Sequence, residues 1–292
     1  MQKAGENINI QSASQKLKSS IKHPVSFVFF VLIAISVIFT VVSLGFLIGY
    51  ILINGIPNLT PKLFAWHYTT ENASMLPALI NTIWMTILAL VIAIPFGIGA
   101  AIYMVEYAKK GNKIVEIVRI TAETLTGIPS IVYGLFGMLF FVTTCKMGLS
   151  LLAGALTLSI MVLPVIMRTT EEALLAVPDS FREGSFGLGA GKLRTVFRIV
   201  LPPAIPGISS GIILAMGRIV GETAALIYTA GTVAEMPKNI FSSTRTLAVH
   251  MYSLSSEGLY MDQAYATAVI LLVLVVVINT LSGIVAKRLT KA

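Results

Sequence analysis

Residues 72–105 read NASMLPALINTIWMTILALVIAIPFGIGAAIYMV, thirty-four positions without one Asp, Glu, Lys or Arg. A helix needs about 20 apolar residues to cross a hydrocarbon layer of roughly 30 Å. This stretch is long enough, and its apolar residues point to all sides rather than alternating as in a barrel strand. The same reading holds for residues 23–61, 124–145, 147–167 and 263–286. The charge-free window 199–217 falls just short of a span, but it extends to about residue 230 if Arg218 and Glu222 are tolerated. The expected architecture is all-α, a polytopic membrane protein with six transmembrane helices near 25–53, 77–104, 124–144, 148–168, 205–230 and 264–286.

Composition agrees with this reading. Of 292 residues, 56% are apolar and 12% charged, and the mean hydropathy is +0.87. The polar residues of a soluble fold could not cover that much apolar surface. Soluble enzymes, disordered chains and fibrous repeats are therefore excluded. The single cysteine, Cys145, cannot form an intramolecular disulfide, and His23, His67 and His250 are too far apart in sequence to suggest a metal motif. About two dozen polar residues precede the first apolar run, so that run is expected to be an uncleaved anchor rather than a signal peptide.

Lys and Arg set the expected orientation. Taken in alternate segments, they number sixteen on one side of the membrane and four on the other. Both termini and the second and fourth loops are therefore expected in the cytoplasm, and this topology accounts for the net charge of +8. No basic face stands apart to suggest nucleic acid. The expected organisation is a cytoplasmic tail over 1–24, an anchor helix over 25–53, a five-helix core over 75–287 with a charged loop at 169–199, and a short cytoplasmic tail over 288–292.

Two glycine-rich stretches invite enzymatic readings. Phe186 to Lys192 resembles a phosphate loop, but Phe186 and Leu193 stand where a Walker A needs Gly and Ser or Thr. Gly207-Ile208-Ser209-Ser210-Gly211 matches G-x-S-x-G, yet it lies in an apolar run rather than at a strand-to-helix elbow. Close helix packing explains this better. Gly207 with Gly211, and Gly217 with Gly221, are small residues four apart that let backbones approach.

The segment from Arg168 to Arg198 reads as two short helices with a break. Pro178 suits a helix start, and Ser180 to Glu183 has capping-box spacing. Gly187, Gly189 and Gly191 permit a tight turn. From Lys192 onward, Leu193, Val196, Phe197 and Val200 recur at helical spacing. Such a segment is either a solvated connector or a rigid lever for a partner's groove. Within the fifth span, Arg218 and Glu222 are expected on one helical face. A charge at that depth costs at least about 2.5–3.5 kcal/mol. The two are expected either to neutralise each other and lock packing, or to line an anion pathway, with Thr223 and Tyr228 as weaker candidates. Guanidinium donors suit phosphate oxygens. Trp66, His67 and Tyr68 read as an interfacial aromatic anchor, with contact to a binding protein as the alternative.

Glu183-Gly184-Ser185, then Gly189, then Ile199-Val200-Leu201-Pro202 resembles the EAA loop of ABC-importer permeases. It departs from that pattern at Gly184 and Ser185, where the family prefers alanine. Gly217-Arg218-Ile219-Val220-Gly221-Glu222-Thr223-Ala224 and Gly127-Ile128-Pro129-Ser130-Ile131-Val132-Tyr133-Gly134 are similar to the phosphate-specific permeases, as are Thr246 to Tyr252. The likeness runs from about residue 75 to the C-terminus, and Ala224-Ala225-Leu226 favours the PstA kind. The resemblance implies a type I ABC-importer permease fold and a transport subunit, not an enzyme. It implies inorganic phosphate as substrate, with Arg218, Glu222 and Thr223 on the pathway. Related oxyanions such as phosphonate, sulfate or molybdate are the alternative, and an ATP-independent carrier is a more distant one. It further implies an ATPase-docking loop carried by Glu183, Gly184, Ser185, Gly189, Ile199, Leu201 and Pro202, and packing at Gly207, Gly211, Gly217, Gly221 and Pro129. The implied partners are a PstC-like permease, two PstB-like ATP-binding subunits and a PstS-like extracytoplasmic phosphate-binding protein. ATP and magnesium would sit on the ATPase, with no cofactor or metal on this chain, in a bacterial cytoplasmic membrane.

Overall fold

The computed structural model describes residues 24–109 and 111–291. The expected N-terminal tail, with Lys3, Lys16, Lys18 and Lys22, lies outside the described residues, as do Lys110 and Ala292. Two compact units divide at Ile53/Asn54. The described part of the first unit belongs to helix α1 (Pro24–Gly55). Its hydroxyls satisfy themselves on their own helix, Ser36 donating to the Leu32 carbonyl and Thr40 to that of Ser36, both at 2.9 Å. Lipid offers no other partner for them.

The second unit consists of helices and loops, with no strand among its described residues. Two 3₁₀ turns (Ile56–Asn58 and Pro61–Phe64) lead to α2 (Leu76–Ile102), which ends in a π turn, Tyr103–Tyr107. Then come α3 (Lys113–Thr126), α4 (Ser130–Gly137) with a π turn to Thr144, and α5 (Leu151–Leu175). After α6 (Asp179–Gly187) and α7 (Lys192–Thr195), a π turn (Val196–Val200) runs into α8 (Leu201–Val220). The chain ends with α9 (Ala224–Thr229), α10 (Leu247–Glu257) and α11 (Met261–Lys291). Among the described residues, five helices are long and apolar enough to cross a membrane, or six if α3 and α4 with its π turn count as one bent span.

Helix α5 is the central element. It packs against α2, α8 and α3, while α8 packs on α11, α9 on α4, and α10 on α11. Ala153, Ala155, Leu158, Met161, Val162 and Ile166 are fully enclosed. Lipid is as apolar as these side chains, so close van der Waals contact and interhelical hydrogen bonds hold the bundle rather than escape from water. One such bond joins Ser159 to the Ala89 carbonyl of α2 at 3.0 Å.

Three expected spans are corrected. The span placed at 124–144 is broken, because α3 and Ser130–Thr144 meet at 106°. Gly127-Ile128-Pro129 makes the bend: Pro129 is the N-cap of α4 and cannot continue α3. Helix α5 does not stop near 168 but runs on to Leu175, so the charged loop begins inside a helix. Its Arg168, Glu171 and Glu172 stay helical because they pair, Arg119 with Glu171 at 2.5 Å and Arg168 with Glu172 at 3.1 Å. The span placed at 205–230 starts at Leu201 and breaks after Val220 before α9 begins. The tail expected over 288–292 is also helical, as far as Lys291.

The bundle has two ends. α5 leads into α6 at one end, and there the close of α2 meets α6 through Glu106 and Arg182. At the other end, the free N–H groups of Leu151 and Leu152 donate to the carbonyls of Ser242 (3.0 Å) and Ile240 (2.9 Å) in the α9–α10 loop. Leu247 N–H of α10 donates to Thr82 Oγ1 of α2 at 2.8 Å. Each helix terminus has backbone groups that the helix itself cannot satisfy, and here a neighbouring segment supplies the partner.

Candidate functional site: a membrane-embedded arginine and a hinged elbow

Arg218 lies in the last turn of α8. It is half-buried and has no carboxylate within 4.0 Å among the described residues. The expected couple with Glu222 is not formed. α8 stops at Val220, and the chain turns through Gly221 to Thr223, so four-residue helical spacing no longer aligns the two side chains. Glu222 is buried and serves the backbone instead, its Oε1 accepting from Ala225 N–H at 3.1 Å. That caps the first turn of α9, a place that favours a carboxylate. Thr223 stands at the N-cap of α9 without a side-chain capping bond, and Tyr228 is half-buried on α9.

The guanidinium is thus left without a counter-charge. It borders a cavity of about 620 Å³ between α3, α5, α8 and α11, which Thr126, Ser210, Gly217 and Asn279 also line. Tyr133 lies within electrostatic reach of it. A cation within a candidate membrane span, beside hydroxyl and amide side chains, has the donors that an anion requires.

The glycines divide by role. A Cβ at Gly207 would stand 2.6 Å from the Ala173 Cβ, and one at Gly211 would collide with Thr169, so both are contact points between α8 and α5. Gly217 faces open space and Gly221 only its own helix, so the packing role expected for that second pair is absent. Gly217 lines the Arg218 cavity, and Pro129 acts at the bend rather than in a helix contact. The Gly207-to-Gly211 serine motif lies wholly within α8, with no strand-to-helix elbow.

The second feature is the elbow made by α6 and α7. Pro178 stands at the N-cap of α6 with no side-chain capping bond, so the expected Ser180–Glu183 box does not form. Residues 188–191 make the break, with Gly189 at φ +80°, a conformation a Cβ disfavours. Ser185 is buried and hydrogen-bonds Thr195 Oγ1 at 2.8 Å, which fixes α6 against α7. Glu183, Gly184, Ile199 and Pro202 are exposed, and Leu201 is half-buried. Val196 and Val200 are enclosed, whereas Leu193, Phe197 and Leu188 face outward, the last 92% exposed. A hollow of about 550 Å³ lies over Phe181, Gly184, Leu188 and Arg198. Here apolar side chains and arginines lie together on the surface, the character of an interaction face.

The elbow is tied to the bundle by a residue that the sequence reading counted only for topology. Arg182 donates from Nε (3.0 Å) and Nη2 (2.8 Å) to Glu106 Oε1, from Nη2 to the Leu174 carbonyl (2.9 Å) and from Nη1 to that of Val177 (2.8 Å). Its side chain is 14% exposed and that of Glu106 6%. Lys192 Nζ adds a second tie, 5.0 Å above the Tyr107 ring.

This architecture is that of a membrane-spanning transport subunit. Residues 93–291 match the family model of the binding-protein-dependent transport system inner membrane component, and the chain belongs to that family. It is 35% identical over 271 residues to a probable ABC transporter permease protein, YqgI, of Bacillus subtilis, a match covering 84% of this chain and 90% of that one. It is 34% identical over 211 residues to the phosphate transport system permease protein PstA 1 of Mycobacterium tuberculosis H37Rv, covering 71% of this chain and 68% of that one. Among solved structures, a bacterial alginate ABC transporter in complex with its pentasaccharide-bound periplasmic protein shares the fold, with a TM-score of 0.68 at 16% identity over 95% of this chain and 99% of that one. The MetNI methionine transporter matches with a TM-score of 0.60 at 21% identity, over 73% and 93% of the two chains. The chain is a multi-pass permease subunit of an ABC importer, which works with an ATPase and a substrate-binding protein and is not itself the catalytic chain.

Proposed function

We propose that this permease carries inorganic phosphate, forming half of the translocation pathway of an ATP-driven importer. The observation that carries the reading is Arg218, a guanidinium at membrane depth that is left unneutralised and borders a cavity with hydroxyl and amide groups. The similarity to relatives named as PstA supports the same substrate class. Phosphate presents planar pairs of oxygens that a guanidinium can bind bidentately. Glu222 serves in this reading by shaping the α8–α9 break, not by accepting a proton from the substrate.

In this proposal a PstC-like permease completes the path, two PstB-like subunits bind ATP and magnesium, and a PstS-like protein delivers phosphate from outside. The excess of Lys and Arg on one side supports a topology with both termini and the elbow in the cytoplasm of a bacterial cell. Closure of the ATPase dimer pushes on the elbow at Glu183 and the exposed Leu188. The push travels through the Ser185–Thr195 bond into α8, whose last turn holds Arg218. The path then switches from inward- to outward-open, and hydrolysis resets it.

The test is uptake of labelled phosphate by the complex reconstituted in vesicles. Phosphate should outcompete phosphonate, sulfate and molybdate, and uptake should require ATP. Arg218→Gln should abolish uptake while the complex still assembles, and Glu183→Lys should disconnect ATP hydrolysis from transport. Equal competition by sulfate or molybdate would assign the path to another oxyanion. Undiminished uptake in Arg218→Gln would remove that residue from the path.

A further inference from the structure

A second arginine is stranded at the end of the bundle opposite the elbow. Arg245 lies in the α9–α10 loop and is 6% exposed. Its Nε and Nη2 have no hydrogen-bond partner, and no carboxylate lies within 4.0 Å of it among the described residues. The loop cannot simply let it out. The Asn81 amide of α2 donates to the Glu235 and Arg245 carbonyls, Thr244 N–H donates to the Ala230 carbonyl, and Leu247 N–H is held by Thr82. Three acceptors beside it are equally bare, Asn81 Oδ1 and the hydroxyl oxygens of Thr244 and Thr246. Buried polar atoms almost always find partners, so a cluster of bare ones around a full positive charge marks a place built for something that arrives.

An aromatic ring covers the guanidinium. Arg245 Cζ sits 4.7 Å above the Tyr68 ring, and Tyr68 also meets His250 edge-on at 6.1 Å. On another side, Tyr68 lines a cavity of about 190 Å³ with Trp66, His67, Glu235 and Met236. Water's share of liquid volume is about 30 Å³, so the cavity has room for a small oxyanion and a few waters. His250 adds no charge, because burial first and Arg245 second push its pKa down to about 3. Arg245 is therefore the one cation of this cluster, with hydroxyls beside it, and the ring that covers it also lines the cavity, which Glu235 borders too.

We propose that Arg245, with Thr244 and Thr246, is a receiving site for a tetrahedral oxyanion at the mouth opposite the elbow, with Tyr68 as its door. The anion enters the cavity, displaces the Tyr68 ring from the guanidinium and is held by Arg245 before it passes to Arg218. This rests on the reading of the chain as an oxyanion importer. It assigns Tyr68 a role quite different from that of a membrane anchor.

The test uses the full complex in lipid nanodiscs, with the binding protein left out of the main comparison and added phosphate-free as a separate control. Arg245 is treated with the arginine reagent phenylglyoxal, and its modification is followed by mass spectrometry in inorganic phosphate and in chloride of equal ionic strength. Phosphate should slow modification of Arg245 several-fold, and should still do so in Arg218→Gln. In vesicle uptake, Arg245→Gln should raise the half-saturating concentration of phosphate-loaded binding protein about tenfold or more. Arg245→Lys, which keeps the charge but loses the planar fork, should be intermediate. The chemical protection needs no variant, so a misfolded Arg245→Gln leaves the test decisive. Equal rates in phosphate and chloride, or no modification in either, would overturn the site. Protection by the binding protein without phosphate would overturn it too, by showing that a protein group is the occupant. A wild-type complex that takes up no phosphate refutes the transport reading, whereas uptake with Arg245 unprotected refutes this site alone.

Discussion

Replacing Arg182 with Met would test whether the elbow is bolted to the bundle or merely rests on it. Methionine keeps most of the stem's packing and removes the guanidinium. Glu106, 6% exposed, would then hold a carboxylate with no cation beside it, and the Val177 carbonyl would lose the donor now 2.8 Å away. Removing one member of a buried ion pair costs about 3–5 kcal/mol, because the other charge stays buried and alone. The Asp179 contact at 3.1 Å adds little, since that carboxylate is 81% exposed and such pairs are worth about 0–1 kcal/mol. Arg182→Met should therefore lower the unfolding free energy by about 3–5 kcal/mol.

Glu106→Gln in the same chain relieves the stranded charge. The double variant should be less destabilised than the sum of the two singles, with a coupling of up to about 3 kcal/mol. The measurement is denaturant unfolding of the purified permease in mixed lipid–detergent micelles across all four members of the cycle. In the full complex, Arg182→Met should also leave ATP hydrolysis running while transport per ATP falls. A single-variant cost under about 1 kcal/mol, or strictly additive costs, would show that the staple carries no load.

Three further outcomes follow from the geometry. Gly211→Val should destabilise by about 1–3 kcal/mol through overpacking against Thr169, whereas Gly217→Ala, with open space around it, should leave unfolding unchanged or improve it. Gly184→Ala should stabilise α6 by roughly 0.5–1 kcal/mol because its Cβ meets nothing, while Gly189→Ala at φ +80° should destabilise; thermal unfolding of the two variants checks the contrast. His250, held neutral with a pKa of about 3, makes folding prefer the unprotonated ring. Its contribution is complete above pH ~6.5 and falls by at most about 1.4 kcal/mol per pH unit as the unfolded chain takes up the proton, levelling off near the folded value. His250→Leu should flatten the pH dependence of unfolding between pH 7 and 4.

Most of the membrane architecture was legible because the physics that sets it is crude. A charge-free run of sufficient length has few alternatives, and the starts of α1, α2, α5 and α11 fall close to where those runs begin. The misses occurred where charge alone misleads. Residues 124–145 carry no charge, so the window ran straight through the Gly127–Pro129 bend, although glycine and proline are the residues that punctuate helices. In α5 the opposite happened: Arg168 looked like an end, but partners on α3 and on α5 itself hold the charged turns helical. The Arg218–Glu222 spacing was sound only while the helix lasted, and Gly221 marks where it stops. Arg182 and Glu106 were out of reach for a different reason, since they are 76 residues apart and nothing local announces the pairing. Arg245 was visible only as one more positive charge in a loop, because its burial is a tertiary fact.

The two ends of the bundle and its middle are held by different chemistry, and this determines what can move. At the elbow end, a buried ion pair and a cation–ring contact bind α6 and α7 to the close of α2. At the far end, backbone and hydroxyl hydrogen bonds bind the α9–α10 loop to α5 and α2. Between them, α8 meets α5 through Gly207 against Ala173 and Gly211 against Thr169, a seam with few protruding groups to block sliding. α8 has twenty residues, or about 30 Å of helix, and it joins the elbow's π turn directly to Arg218. It therefore runs from the surface where a motor would push to the charge that an anion would meet. A load on α6 and α7 is opposed at α2, which Arg182 and Lys192 grip, and it finds its least resistance along α8. In the proposed coupling the glycine seam would be the bearing, the staple would be the fulcrum, and the break at Gly221 would let the last turn reorient Arg218 while α9, which Glu222 caps, stays a separate helix.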